Sequence, residues 1–387
     1  MVQVMPDLRL VPPITDDPAQ FEPLRNEVRA FVAEQRAAGH IGREVDTWLT
    51  GWDEDFTQAL AQRGWLGMTV PVEYGGRGRG HVERFVVTEE LLAAGAPVAA
   101  HWIADRQVVP SLLNYGTEQQ KQRYLPRIAD GTCFFAIGMS EPDSGSDLAS
   151  VRTRATRVDG GWSLSGTKVW TSGAHRAEAF ICLARSQALD TAHRHAGLSQ
   201  FIIDLDSTGV DVRPIRSMDG RHHFNEVILD NVFVPDEMVF GTIGDGWTQV
   251  TSELAFERSG PERFLSTLPL LAETAEQTRA HMIPHHPDLG RYVARLAGLH
   301  QMSTAVAGAL ARHESADTAA AVVKVLGTST EGNIAAFVDT LSDGLDPALA
   351  EHTRLTRTAL VQRPGFTLRG GTNEVLRGVI ARGLGRR

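Results

Sequence analysis

The sequence is short of cysteine, with only Cys133 and Cys182 in 387 residues. Two thiols make neither a disulfide framework nor a metal cluster, and their scarcity points to a reducing compartment. Long apolar runs are also missing. The opening MVQVMPDLRLVPP has no hydrophobic stretch, and nothing downstream is long enough to span a bilayer, so the expectation is a cytoplasmic enzyme with no membrane partner. No block of like charge suggests a tail or a lipid-binding patch. The net charge of −9 repels phosphate backbones and argues against nucleic acid as a partner.

Several short motifs are absent too. There is no GxSxG elbow and no P-loop. The glycines of GGRGRG at 75–80 lack both the spacing and the preceding strand of a dinucleotide fingerprint, which disfavours a Rossmann NAD site. His222-His223 and His285-His286 are adjacent pairs, and neighbours in sequence diverge on a helix or strand. They read as surface histidines, and no metal is expected.

What is present is 42% hydrophobic and long enough for two or three cores. Phe21, Leu24, Val28 and Phe31 recur at helical spacing; segments holding Phe56–Trp65 and Val82–Leu92 follow. Thr117 with Gln120 forms a capping-box pattern. From Cys133 the character changes. CFFAIG, VRTRATRV, WSLSGTKVW, AFICLARS, SQFIIDL, VDVRPI and HFNEVILDNVFV are short β-branched or aromatic runs separated by turn residues. Even spacing without intervening helices predicts an antiparallel barrel or sandwich. After Gly246 helical spacing returns, and segments 247–281, 287–313, 316–340 and 372–384 suit a four-helix bundle. The expected fold is α+β and mainly α. It comprises an N-terminal helical domain (1–132), a central antiparallel β-barrel (133–240) and a C-terminal helical bundle (241–387).

Two segments are dense in polar chemistry. Gly138-Met139-Ser140-Glu141-Pro142-Asp143-Ser144-Gly145-Ser146-Asp147 follows an apolar strand. Its small residues expose backbone N–H donors to a polar ligand, though a plain hydrated turn has the same composition. Lys168-Val169-Trp170-Thr171-Ser172-Gly173 sets an indole beside hydroxyls, suited to a flat ring with a hydrogen-bonding edge. A core Trp at a strand end is the competing reading.

Taken together and in this order, the two segments resemble the acyl-CoA dehydrogenase family. Pro71-Val72-Glu73-Tyr74-Gly75-Gly76, Gly371-Thr372-Asn373-Glu374-Val375-Leu376-Arg377 and Ile380-Ala381-Arg382 extend the resemblance over nearly the whole chain. It implies FAD as cofactor and lipid or fatty-acid metabolism as setting. Ile137, Met139 and Ser140 match positions lining the flavin. Gly145 and Ser146 match positions near the pyrophosphate and the substrate's CoA arm. Trp170 and Thr171 fall at the isoalloxazine, and Ser172 matches a hydroxyl residue that bonds flavin N5. Thr372 and Glu374 match cofactor contacts at a helix start, with Thr372 as N-cap.

The chain also departs from the family. Many members carry the catalytic Glu directly before Gly-Thr, where this chain has Gly370; the Gly370 amide remains as a donor to the thioester carbonyl. A second branch, resembling the isovaleryl- and long-chain enzymes, carries its Glu on the first long helix of the bundle. Glu257-Arg258 matches that branch, so Glu257 is the expected base, with Arg258 near the substrate and Glu253 one turn away as the alternative. The Arg-x-x-Phe-Gly and Gln-x-x-Gly-Gly segments that reach a neighbour's FAD are not recognisable near 285–292 and 337–345.

The implied activity is dehydrogenation of an acyl-CoA or acyl-carrier thioester to the trans-2-enoyl product. The implied electron acceptor is an electron-transferring flavoprotein, and the implied assembly a homotetramer or homodimer, or a hetero-oligomer with a homologous chain. Two alternatives stay open: a flavin-dependent monooxygenase or oxidase on the same fold, and a non-catalytic subunit of a hetero-oligomeric dehydrogenase.

Overall fold

The computed structural model describes residues 10–258, 260–341 and 347–385, with the backbone alone for 253–257. The chain divides into two compact units that interleave in sequence: residues 49–79 with 97–256, and residues 1–48 with 80–96 and 257–387.

The first of these units is built on a sheet. Its strands are β1 (Phe135–Gly138), β2 (Arg154–Val158), β3 (Gly161–Lys168), β4 (Ala179–Arg185), β5 (Leu198–Asp204), β6 (Val210–Arg216), β7 (His222–Pro235) and β8 (Val239–Phe240). Each long strand falls on a run expected to be extended. The order is β6-β7-β3-β2-β4-β5-β8, with β1 added beside β4. Most ladders are antiparallel, but β1 runs parallel to β4, with Ile137 opposite Ile181, and β2 touches β4 in parallel at Arg154 and Arg185. The chain between β1 and β4 is long enough for a crossover, which a parallel pair requires.

Strand β4 is buried along its whole length, whereas β7 begins by alternating buried and half-buried residues. A strand covered on both faces has to be continuously apolar, and AFICLAR is that apart from its terminal Arg185. Phe135, Phe180, Phe201 and Tyr124 fill the core of this unit, the Tyr124 ring standing edge-on to Phe135 at 5.0 Å. Tyr124 comes from the helix Glu118–Ala129, which begins with the expected Thr117/Gln120 capping box.

The second unit is helical. It contains Glu22–Ala37, His81–Ala93, Leu268–Arg279, Pro287–Ala311, Asp317–Asp339, Ala350–Phe366 and Asn373–Gly383. The stretch 247–281 is two helices, Gly246–Arg258 and Leu268–Arg279, rather than one. Pro261 separates them: it lacks an amide proton and disfavours helix in the residue before it. The helix Ala350–Phe366 was not among the expected segments. It is studded with Arg, Thr, His and Gln, and its apolar stripe shrinks to Leu355, Ala359 and Phe366.

Phe180 is fully buried, and its ring stands 2.7 Å from where a Cβ on Gly138 would lie. Phe180→Ala is expected to lower stability by about 3–5 kcal/mol through lost burial and a residual cavity, read from denaturant unfolding.

Candidate functional site

Within the sheet-containing unit the two chemistry-bearing segments lie side by side. The loop after β1 and the loop after β3 are joined by a hydrogen bond from the Val169 amide to the Ser140 carbonyl, at 2.9 Å. Ser140 therefore neighbours Trp170. Below them is a buried ion pair. Lys168, fully buried, donates from Nζ to Glu141 Oε1 at 2.8 Å and to the Met139 carbonyl at 3.2 Å. Glu141 also accepts from the amides of Arg152 at 2.6 Å and Thr153 at 2.9 Å. Burial works to raise the Glu141 carboxyl, but the Lys168 charge and these hydrogen bonds outweigh it and hold the group below its ordinary 4.5.

The rest of the first loop is wound around Ser144. Glu141 and Ser144 exchange backbone hydrogen bonds at 2.8 and 3.1 Å, and the Ser144 hydroxyl donates to the Asp147 carbonyl at 2.9 Å. Gly145 and Ser146 stay exposed at the tip; a Cβ on Gly145 would meet no atom within 4 Å. Ile137 and Met139 are half-buried at the root.

Trp170 is 58% exposed and adopts a left-handed backbone, φ +62°. A bulky residue rarely takes that conformation, and it costs about 1–2 kcal/mol. The strain turns out a bare indole, supported edge-on by Phe224 at 5.5 Å. Ser172 is half-buried beside it. Thr171, between them, is fully buried with a hydroxyl that has no partner. An uncovered indole, adjacent hydroxyls and an unpaired buried hydroxyl form a donor set that fits a flat heterocycle with a polar edge, such as a flavin.

The helical unit carries the remaining sequence-selected residues. Gly370 and Gly371 are both left-handed, φ +66° and +86°, which is glycine's conformational territory. Their turn is anchored by Lys324, fully buried on the helix Asp317–Asp339. Its ammonium donates to the carbonyls of Thr367 at 3.0 Å and Gly371 at 2.7 Å, and to Asn373 Oδ1 at 2.8 Å. Thr372 is the N-cap expected of it, accepting from the Val375 amide at 3.3 Å, and Glu374 is exposed in the first turn. Arg258 is half-buried; a Cβ on Gly371 would stand 3.6 Å from its Nη2. Glu257 belongs to the helix Gly246–Arg258, but its side chain, like that of Glu253, lies outside the described residues.

Beside this turn, Arg369 grips Asp46 through Nη1 at 2.9 and 2.7 Å and lies 4.7 Å over the Trp48 ring. Glu331 is buried nearby, with Oε1 accepting from the Ser266 amide at 2.7 Å and Oε2 unpaired. Burial, only partly offset by Arg369, pushes its carboxyl up to about 7.

The sequence motifs contain Glu141, Lys168 and Arg369 without revealing their partners, and Lys324 and Glu331 lie outside every motif. The available signal was a lone charge within an apolar run, as in AAAVVKVLG. The histidine reading needs a correction: His223 is buried, and His222 is half-buried and stacked on His175, because both sit on β7 where it pairs with the loop after β3. The cavity of about 140 Å³ lined by Arg123, Ile202, Asp204, Phe233 and Met238 contains none of the selected residues. Among the described residues, no group of three or more His, Cys, Asp or Glu is placed to hold a metal, and no helix is long and apolar enough to cross a membrane.

The chain matches the acyl-CoA dehydrogenase N-terminal domain over residues 19–132 and the middle domain over 136–232. It is 33% identical over 389 residues to the acyl-CoA dehydrogenase IpdE1 of Mycolicibacterium smegmatis, covering 94% of this chain and 96% of that protein. It is 42% identical over 246 residues to the acyl-CoA dehydrogenase FadE34 of Mycobacterium tuberculosis; the match takes in 62% of this chain and 32%, about a third, of that longer protein. Among solved structures, the Tcur3481-Tcur3483 steroid ACAD superposes with a TM-score of 0.84 at 30% identity, covering 96% of this chain and 99% of that one.

Two stability predictions arise here. Lys168→Met strands the Glu141 carboxylate and is expected to cost about 3–5 kcal/mol at neutral pH; adding Glu141→Leu should recover much of that in the same denaturation assay. For Glu331 the folded carboxyl titrates above its ordinary 4.5. Its contribution is therefore full below about 4.5 and falls as pH rises toward about 7. Glu331→Gln should remove that decline, seen as a wild-type-minus-variant melting difference that changes between about pH 4 and about pH 8.

Proposed function

We propose, from the premise that this chain belongs to the acyl-CoA dehydrogenase family, that it removes two hydrogens from the α and β carbons of an acyl thioester. The observation that carries this reading is the bare, strained Trp170 indole beside the Ser140 loop and the Ser172 hydroxyl.

FAD, when bound, supplies the two-electron acceptor for the β-hydride. The chain's own groups do the rest. Trp170 would offer an apolar face to the heterocycle, and Ile137, Met139, Ser140 and Ser172 would be the residues of this unit that hold it. Gly145 and Ser146 present exposed backbone to phosphate, and Thr372 and Glu374 stand at a helix start whose dipole favours an anion. The Gly370 amide donates to the thioester carbonyl, which acidifies the α-hydrogen. Glu257 takes the α-proton and Arg258 assists substrate binding. The α-proton thus leaves to a carboxylate while the β-hydrogen leaves with its electron pair, and the product is the trans-2-enoyl thioester. An electron-transferring flavoprotein would be the acceptor of the two electrons.

A ring-bearing acyl thioester is the first substrate class to try, because the neighbour at 30% identity is described as a steroid ACAD. A mixed assembly with a homologous chain is the second reading. Two of the structural neighbours are named as pairs, Tcur3481-Tcur3483 and ChsE4-ChsE5, and residues 285–292 here lack the segment that reaches a neighbour's cofactor.

Purified alone and with candidate partner chains, the protein is expected to carry a flavin spectrum that bleaches when saturated acyl-CoA is added without oxygen. Glu257→Gln should stay yellow and lose the bleaching by at least about a hundredfold in rate. Unchanged bleaching in that variant removes Glu257 from the role of base, and a chain that is colourless under every pairing removes the dehydrogenase reading.

A further inference from the structure

Behind the Trp170–Ser172 turn lies a polar cluster to which the reaction assigns no role. Strand β7 passes under the turn. Thr171 and Asn225 exchange both backbone hydrogen bonds, at 3.0 and 3.1 Å, and the Gly173 amide donates to the His223 carbonyl at 2.9 Å. Asn225 is fully buried and adds a third bond, its Nδ2 donating to the Thr171 carbonyl at 2.9 Å. Both lone pairs of that carbonyl are thus directed at one residue.

The carboxamide is itself fixed on two further sides. Its Oδ1 lies 2.8 Å from His222 Nε2, and its Nδ2 lies 3.1 Å from His175 Nδ1. An amide oxygen only accepts, so His222 must carry a proton on Nε2. An amide nitrogen only donates, so His175 Nδ1 must be a bare lone pair. His175 is therefore neutral, with its proton on Nε2. The two imidazoles stack with centroids 4.0 Å apart. The titratable and charged groups facing His175 are His222 and His223 on β7 and Arg176 in its own loop, while Trp52 covers the neighbouring Gly173 and Arg176. All three oppose a positive charge on His175.

We infer that Asn225 is a positioning residue for the flavin-facing turn: locked by His175 and His222, its carboxamide sets the placement of Thr171 and so the angle at which the adjacent Ser172 hydroxyl is presented. The inference rests on the flavin reading for its chemistry, but the clamp itself stands on contacts within this chain. A proton on His175 would set an N–H against the Asn225 N–H and release the clamp. Burial first, then the proximity of His222, Arg176 and His223, pushes His175 down to about 4, so the clamp holds at neutral pH and opens only in acid.

The test is amide hydrogen exchange across residues 169–175, corrected for intrinsic rates, together with FAD affinity from flavin fluorescence. Asn225→Asp keeps the shape and replaces the donating nitrogen with an acceptor. At neutral pH it should speed exchange of the Thr171 and Gly173 amides about ten- to a hundredfold and weaken FAD binding by a similar factor, as expected for the loss of both Nδ2 hydrogen bonds. His175→Asn restores an acceptor at the Nδ1 position that does not titrate. It should keep the turn protected below pH 4, where the wild type loses protection locally. Unchanged exchange in Asn225→Asp, or the same acid profile in wild type and His175→Asn, overturns the inference even if FAD binds normally. A wild-type protein that never takes up FAD, with exchange responding as described, defeats the flavin reading and leaves the clamp standing.

Discussion

The buried contact between Lys168 and Glu141 fixes where the two polar loops can be. One partner ends strand β3, and the other lies just past β1 at the head of the glycine- and serine-rich loop. The ammonium also reaches the Met139 carbonyl, and the carboxylate gathers two amides from residues 152 and 153. Such a pair is a poor source of net stability, because removing two charges from water offsets most of their attraction. What it provides is geometry. With every polar atom of the carboxylate engaged, the loop has one low-energy placement, and Ser140 is held against the chain that leads into Trp170.

The helical unit solves a similar problem with a different acceptor set. Lys324 is as deeply buried as Lys168, but it donates to two carbonyls and a carboxamide. Those oxygens belong to a turn with two consecutive left-handed glycines, which has no side chains of its own to brace it there. A single ammonium collects the two ends of the turn and the first residue of the following helix. In both units a buried cation organises a segment that has to leave its outward surface free.

Much of this architecture was legible in the sequence. The strands were readable because each is a short β-branched or aromatic run bounded by turn residues, and β1 to β7 fall where those runs fall. Thr117 and Thr372 cap helices because a hydroxyl three residues before a free amide has little else to do. The parallel β1–β4 pairing was not readable, since alternation of side chains specifies a face and not a neighbour. The helix Ala350–Phe366 escaped because three of its six buried positions, His352, Thr356 and Gln362, are polar and break up the apolar stripe. At the site, Ser140 and Trp170 were found as motif residues, but their bracing was not. Glu141, Lys168, Asn225 and Lys324 act through partners from 27 to 54 residues away, a separation no local pattern encodes.

The pair of glycines at 370 and 371 also limits which residues the turn can accept. A side chain introduced at 370 would land on a backbone with φ +66°. Side chains with a Cβ resist that region by about 1–2 kcal/mol. Placing a side chain at either position would therefore require the turn itself to be rebuilt, so the Lys324 ammonium that gathers it also narrows what these two positions can accept.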